Sequence, residues 1–211
     1  AWAAGRVGFG DRGGAAFNGR RRSGNTEKAI EYLHLAGQQA FRRSAYSEAI
    51  VHFIAALDFL KTVAETPAHA QQELALQLAL ATPLSFIKGP AAPEVGTVYD
   101  RVLDLCQQVG ETPQLSPALW GVRRFYLFRG KLQTARELAE RLILLAQRAS
   151  DSSLLPVAHF GLGSVFHSMG EFDSARTHSE HALVLSNAEQ RHAAIALVGV
   201  NLGVFSLLHL A

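Results

Sequence analysis

With one cysteine in 211 residues, Cys106, the chain cannot form an internal disulfide or a thiolate-based zinc site, which fits a reducing, cytoplasmic setting. It has no initiating Met and no continuous apolar run near its start, so no signal peptide is expected, and the chain reads as a piece of something longer. Charge is sparse, at 18% of residues against 48% hydrophobic, which describes a packed chain rather than a disordered one. The basic excess sits at the N-terminal end, where Arg6, Arg12, Arg20, Arg21 and Arg22 face only Asp11. The remainder carries more acids than bases, so the folded part is not a basic nucleic-acid reader.

The signatures of catalysis are missing too. There is no Walker A sequence, no HExxH, no GxSxG and no paired-carboxylate arrangement, so no cofactor is implied and no catalysis is expected. Gly8-Phe9-Gly10-Asp11-Arg12-Gly13 has the form GxGxxG, but no strand precedes it and no helix opens on it to present N–H groups to a pyrophosphate. Residues 1–25 read instead as a disordered Gly/Arg-rich tail. His178 and His181 stand one turn apart with His192 beyond, and two imidazoles at that spacing could share a metal. No further ligand has a spacing that defines a site. His178 lies on the apolar stripe of Ala175 and Ala182, so it reads as a structural histidine and no metal site is assigned.

What the chain does have is a repeat. Residues 130–139 read GKLQTARELA, and residues 170–179, forty positions on, read GEFDSARTHS. A period of this size marks stacked units, none of which can bury its apolar face alone. Thr26 suits the N-cap of a helix running to about Arg43, with Ala29, Leu33, Ala36, Gly37 and Ala40 on one face. A break at Ser44-Ala45-Tyr46 leads to a second helix striped by Ala49, Phe53, Ala56, Leu57 and Leu60. Read this way, residues 26–190 form an array of about four hairpins, at 26–63, 68–108, 114–149 and 152–187. The second is the most degenerate, broken by Gly89-Pro90-Ala91-Ala92-Pro93.

Residues 191–211 continue the period as the first helix of an incomplete fifth unit. Residues 193–211 lack charge and contain Gly199 and Gly203 at GxxxG spacing, so a membrane-anchored adaptor is the alternative. Leu202-Gly203 echoes Leu162-Gly163, which favours the repeat over a membrane span.

The first hairpin resembles a tetratricopeptide (TPR) repeat, whose pattern takes small residues at its eighth and twentieth positions and an aromatic at its seventeenth. Gly37, Tyr46, Ala49 and Phe53 match it, as do Gly163, Gly170, Phe172 and Ala175 in the last unit. The third unit keeps Gly130, Ala135 and Leu142 but departs at Arg123, where a small residue is expected. The resemblance implies an all-α right-handed superhelix of antiparallel hairpins, with the first helix of each lining a concave groove. The side chains it assigns there are His34, Gln38, Phe41 and Arg42, then Trp120, Arg124, Leu127 and Phe128, then Phe160, Ser164, His167 and Ser168. Arg124 with Arg123, beside Trp120 and Phe128, could hold an acidic or carboxylate-bearing segment. The competing reading packs Trp120 between hairpins and leaves the Arg pair in water, because aromatic stripes at helical spacing are more often core.

Asn25 to Leu33, Ala36 to Ala40 and Cys106 to Pro113 also resemble the TPR region of bacterial proteins that join a class III adenylate/guanylate cyclase to an AAA/STAND-type ATPase. That resemblance implies a regulatory array with a protein or peptide ligand, acting on neighbouring ATPase and cyclase domains. An assignment through the parent's cyclase activity would rest on domains that these residues do not contain.

Overall fold

The computed structural model describes residues 12–63, 66–110, 114–148 and 154–186; for residues 12–24 only the helical backbone is described. The incomplete fifth unit, the GxGxxG run up to Asp11 and the candidate anchor at 193–211 lie outside the described residues.

The described chain is entirely helical: α1 (Arg12–Arg42), α2 (Tyr46–Leu60), α3 (Pro67–Lys88), α4 (Pro93–Val109), α5 (Leu115–Phe128), α6 (Leu132–Arg148), α7 (Leu154–Met169) and α8 (Phe172–Val184). Helix α1 begins at Arg12, well before Thr26, so part of the expected tail is helical and Thr26 is an interior residue rather than an N-cap. Contrary to expectation, a helix does open within the run Gly8 to Gly13. Extending a nucleated helix costs far less than starting one. Ala15, Ala16 and Arg20 to Arg22 are good helix formers, which offset the glycines between them.

Three of the turns are copies of one another. Residues Ser44, Gly130 and Gly170 have φ of 60°, 71° and 79°, the left-handed conformation that ends a helix. The next residue in each case donates its N–H five residues back, Ala45 to Ala40, Lys131 to Tyr126 and Glu171 to Phe166, at 2.9 to 3.0 Å. These are Schellman closures, and each sends the chain antiparallel into its partner helix.

The helices pack α1 on α2, α3 on α4, α5 on α6 and α7 on α8, and successive hairpins join through α2–α3, α4–α5 and α6–α7. Each odd helix also touches the next odd one, whereas among the described residues no even helix touches the next even one. The odd helices therefore form the inner layer and the even helices splay outward. This is an all-α, TPR-like solenoid curved about its odd-helix face.

Helix α5 is buried on nearly every side, by Leu115, Ala118, Leu119, Trp120, Val122, Arg123 and Phe125. Ala118, Val122 and Phe125 belong to the core of the first two hairpins, whereas Leu115, Leu119 and Trp120 belong to that of the last two. The α4–α5 junction is the least extensive of the three between hairpins. It is held by reciprocal contacts: a Cβ on Gly96 would lie 2.8 Å from the Phe125 ring, and one on Gly121 would lie 2.7 Å from Tyr99.

Candidate functional site

The inner face is built from the odd helices, and its first recess lies between α1 and α3. Gln38, Phe41 and Arg42 line a pocket of about 240 Å³ with Phe53, Ala79 and Thr82. Spacing of three and four residues puts Gln38, Phe41 and Arg42 on one side of α1. The floor is aromatic because Gly37 has no side chain: a Cβ there would stand 2.5 Å from the Phe53 ring. His34 sits one turn earlier, its Nε2 3.1 Å from the Gln38 amide nitrogen and its ring edge-on to Phe53. Burial lowers the His34 pKa, which keeps the imidazole neutral at physiological pH. Phe41 continues outward into Tyr46 and Phe86, whose rings stack at 4.7 Å and 7°. Arg42 is exposed at the rim. The recess thus offers an apolar base, an amide and a cation.

The residues assigned to the third and fourth units form a different arrangement. Trp120 and Phe160 are each 6% exposed and pack on one another across α5 and α7, ring centroids 5.9 Å apart. Their faces are core rather than open groove. Arg123 is buried as well, so neither reading of the Arg pair holds for it. Its guanidinium lies over the Trp120 ring at 4.2 Å and donates to the Gly161 carbonyl at 3.1 Å and to Ser164 Oγ at 3.0 Å. Desolvation depresses its pKa to about 9, and its Nε has no hydrogen-bond partner. The residue that breaks the TPR pattern sends its hydrogen bonds out of its own hairpin. It reaches into the next one, where Gly161 leaves room beside Trp120 and Arg123. Arg124 and Leu127 are half-buried, and Phe128 is exposed at the end of α5. Ser168 donates to the Ser164 carbonyl, and His167 meets the Phe172 ring edge-on at 5.6 Å.

On the outer side a cavity of about 340 Å³ opens at the α4–α5–α6 junction, where Cys106 and Gln107 face Leu119, Arg141, Leu145 and Arg148. Burial raises the Cys106 thiol's pKa, so it is a poor nucleophile at neutral pH.

One further cluster joins helices that sequence spacing kept apart. His159 on α7 meets His178 and His181 on α8, and the three candidate ligand nitrogens lie within 4.8 Å of one another. The close crossing of the two helices brings them together: a Cβ on Gly163 would be 3.1 Å from Ser179 Oγ and 3.3 Å from the Ala175 carbonyl. His159 lies one turn from Gly163 on α7, a separation that only the hairpin geometry converts into contact. Sequence spacing pairs His178 with His181 and for that reason does not reveal His159. Burial, with the two neighbouring imidazoles adding to it, lowers the His159 pKa to about 4.

Among the described residues no helix is long and apolar enough to cross a membrane. No protein-family model matches the chain. No curated protein matches it either. Among solved structures it is similar to BtubC (BKLC) from P. vanneervenii, with a TM-score of 0.64 and 15% identity over 74% of this chain and 62% of that one. It is similar to a Rap protein complexed with competence and sporulation factor, with a TM-score of 0.63 and 13% identity over 79% of this chain and 46% of that one. A P. anserina protein with kinesin-light-chain, nearly identical TPR-like repeats gives a TM-score of 0.64 and 15% identity over 86% of this chain and 95% of that one. The chain spans less than two thirds of the length of the first two. At these identities the likeness is one of fold, a tandem array of TPR-like helical hairpins.

Proposed function

We propose that this chain is a protein-interaction module whose inner face takes an extended peptide or a loop of a partner protein. The recess between α1 and α3 carries the reading, because Gln38, Phe41 and Arg42 converge there with apolar, amide and cationic groups on one surface. A segment that places an apolar side chain beside Phe41 and a carboxylate near Arg42 would match all three. The Rap protein solved in complex with competence and sporulation factor supports ligand holding by an array of this shape. The resemblance to cyclase- and ATPase-linked TPR regions extends the proposal. The array would be the sensor or regulatory part of a longer cytoplasmic bacterial protein, biasing catalytic domains elsewhere in it.

Panning a random peptide library against the chain, then measuring selected peptides by fluorescence anisotropy, tests this reading. Selected sequences should carry an acidic residue near an apolar one, and Arg42→Ala or Phe41→Ala should weaken them by about tenfold or more. Peptides that bind both variants as tightly as the wild type would place the interaction elsewhere and overturn the assignment.

A further inference from the structure

We propose that His159, His178 and His181 form a divalent transition-metal site, occupied by zinc, that clamps α7 to α8. The three imidazoles come from two helices, and all three candidate ligand atoms lie within 4.8 Å of one another. The Nδ1 atoms of His159 and His178 are 2.9 Å apart, close enough to share one proton. A tetrahedral zinc with bonds of about 2.0–2.1 Å places its ligand nitrogens about 3.4 Å apart. The 2.9 Å pair and the 4.8 Å limit lie on either side of that spacing, so the nitrogens need only small shifts to reach it.

The surroundings favour a metal of this class. His178 is braced by the Phe166 ring at 5.5 Å, and the close crossing at Gly163 sets the distance between the helices. Three neutral nitrogens with no thiolate and no carboxylate in the set suit zinc, copper, nickel or cobalt and disfavour magnesium and calcium, which want oxygen. His181 is exposed, so the fourth position opens to water.

Cobalt(II) reports the geometry. Titrated into the full chain, it should give the intense visible bands of a four-coordinate ion at one equivalent, and zinc should displace it. Zinc should also raise the Tm. His159→Ala and His178→Ala should each weaken binding by about tenfold or more. His181→Ala alters an exposed side chain, so it should weaken the bands while circular dichroism stays unchanged, which separates ligand loss from misfolding. His52→Ala, at a half-exposed position on α2 away from the cluster, should leave binding as it was. Weak six-coordinate bands, or binding that survives His181→Ala and the His159→Ala, His178→Ala pair, would overturn the site.

Discussion

Ser44 holds a φ of 60° in a turn whose two counterparts use Gly130 and Gly170. A side chain in the left-handed region costs about 1–2 kcal/mol, and glycine escapes that cost at a smaller entropic one. Ser44→Gly should therefore stabilise the first hairpin by about 1 kcal/mol, measured by urea unfolding. A loss of stability would show that the Ser44 side chain contributes more than its backbone costs. The two glycine turns could be read from the repeated sequence, but Ser44 could not, because nothing in its residue type announces a left-handed φ. Arg123 was legible only as an exception. The pattern showed that a large cation stood at a small-residue position, yet its destination lies 38 residues away at Gly161, and only the stacking of two hairpins puts those residues together.

At the scale of helices, amphipathic spacing and punctuation carried most of the information. Stripes such as Ala49, Phe53, Ala56, Leu57 and Leu60 are buried because period and packing agree. Helix α5 shows the limit of that argument: it is buried on nearly every side, Arg123 included, so no single stripe tells which neighbour each side chain meets. Trp120 could be either a groove side chain or core between hairpins, and it is core: it packs on Phe160 across α5 and α7. Pairing within a hairpin also rests on polar contacts. Arg101 on α4 grips the Glu73 carboxylate on α3 with two charge-assisted hydrogen bonds, of 2.7 and 2.6 Å. That grip holds the Glu73 pKa below its ordinary 4.5. A carboxylate with a depressed folded pKa contributes stability above its unfolded value and loses it as the pH falls through the folded one. Glu73→Gln should then cost about 1 kcal/mol at neutral pH, with the difference closing as the pH drops below 4.5. Urea titrations of both proteins across that range check it, and a difference that persists in acid would assign the cost to packing.

Over the whole molecule, stability passes between neighbours, because each hairpin touches only those beside it. The α4–α5 junction is the thinnest link, and Phe125 fills its Gly96 notch. Phe125→Ala should cost about 3–5 kcal/mol and split unfolding into two steps, α1–α4 separating from α5–α8. Hydrogen exchange read helix by helix would show the split, and a single concerted loss of protection would refute it. The all-helical solenoid could be read from the forty-residue period, since a repeat must stack. The inner recess was partly legible, through Gln38, Phe41 and Arg42. The histidine cluster was not, because it depends on the distance between two helices rather than on either one.

That thin junction has a mechanical meaning. The two halves of the array meet where contact between hairpins is least extensive, with the Phe125 and Tyr99 rings set against Gly96 and Gly121. Bending the array there disturbs less packing than bending it at either other junction. The recess on α1 and the hairpin of α7 and α8 lie on opposite sides of this junction, so a partner that gripped both would hold the array at one bend.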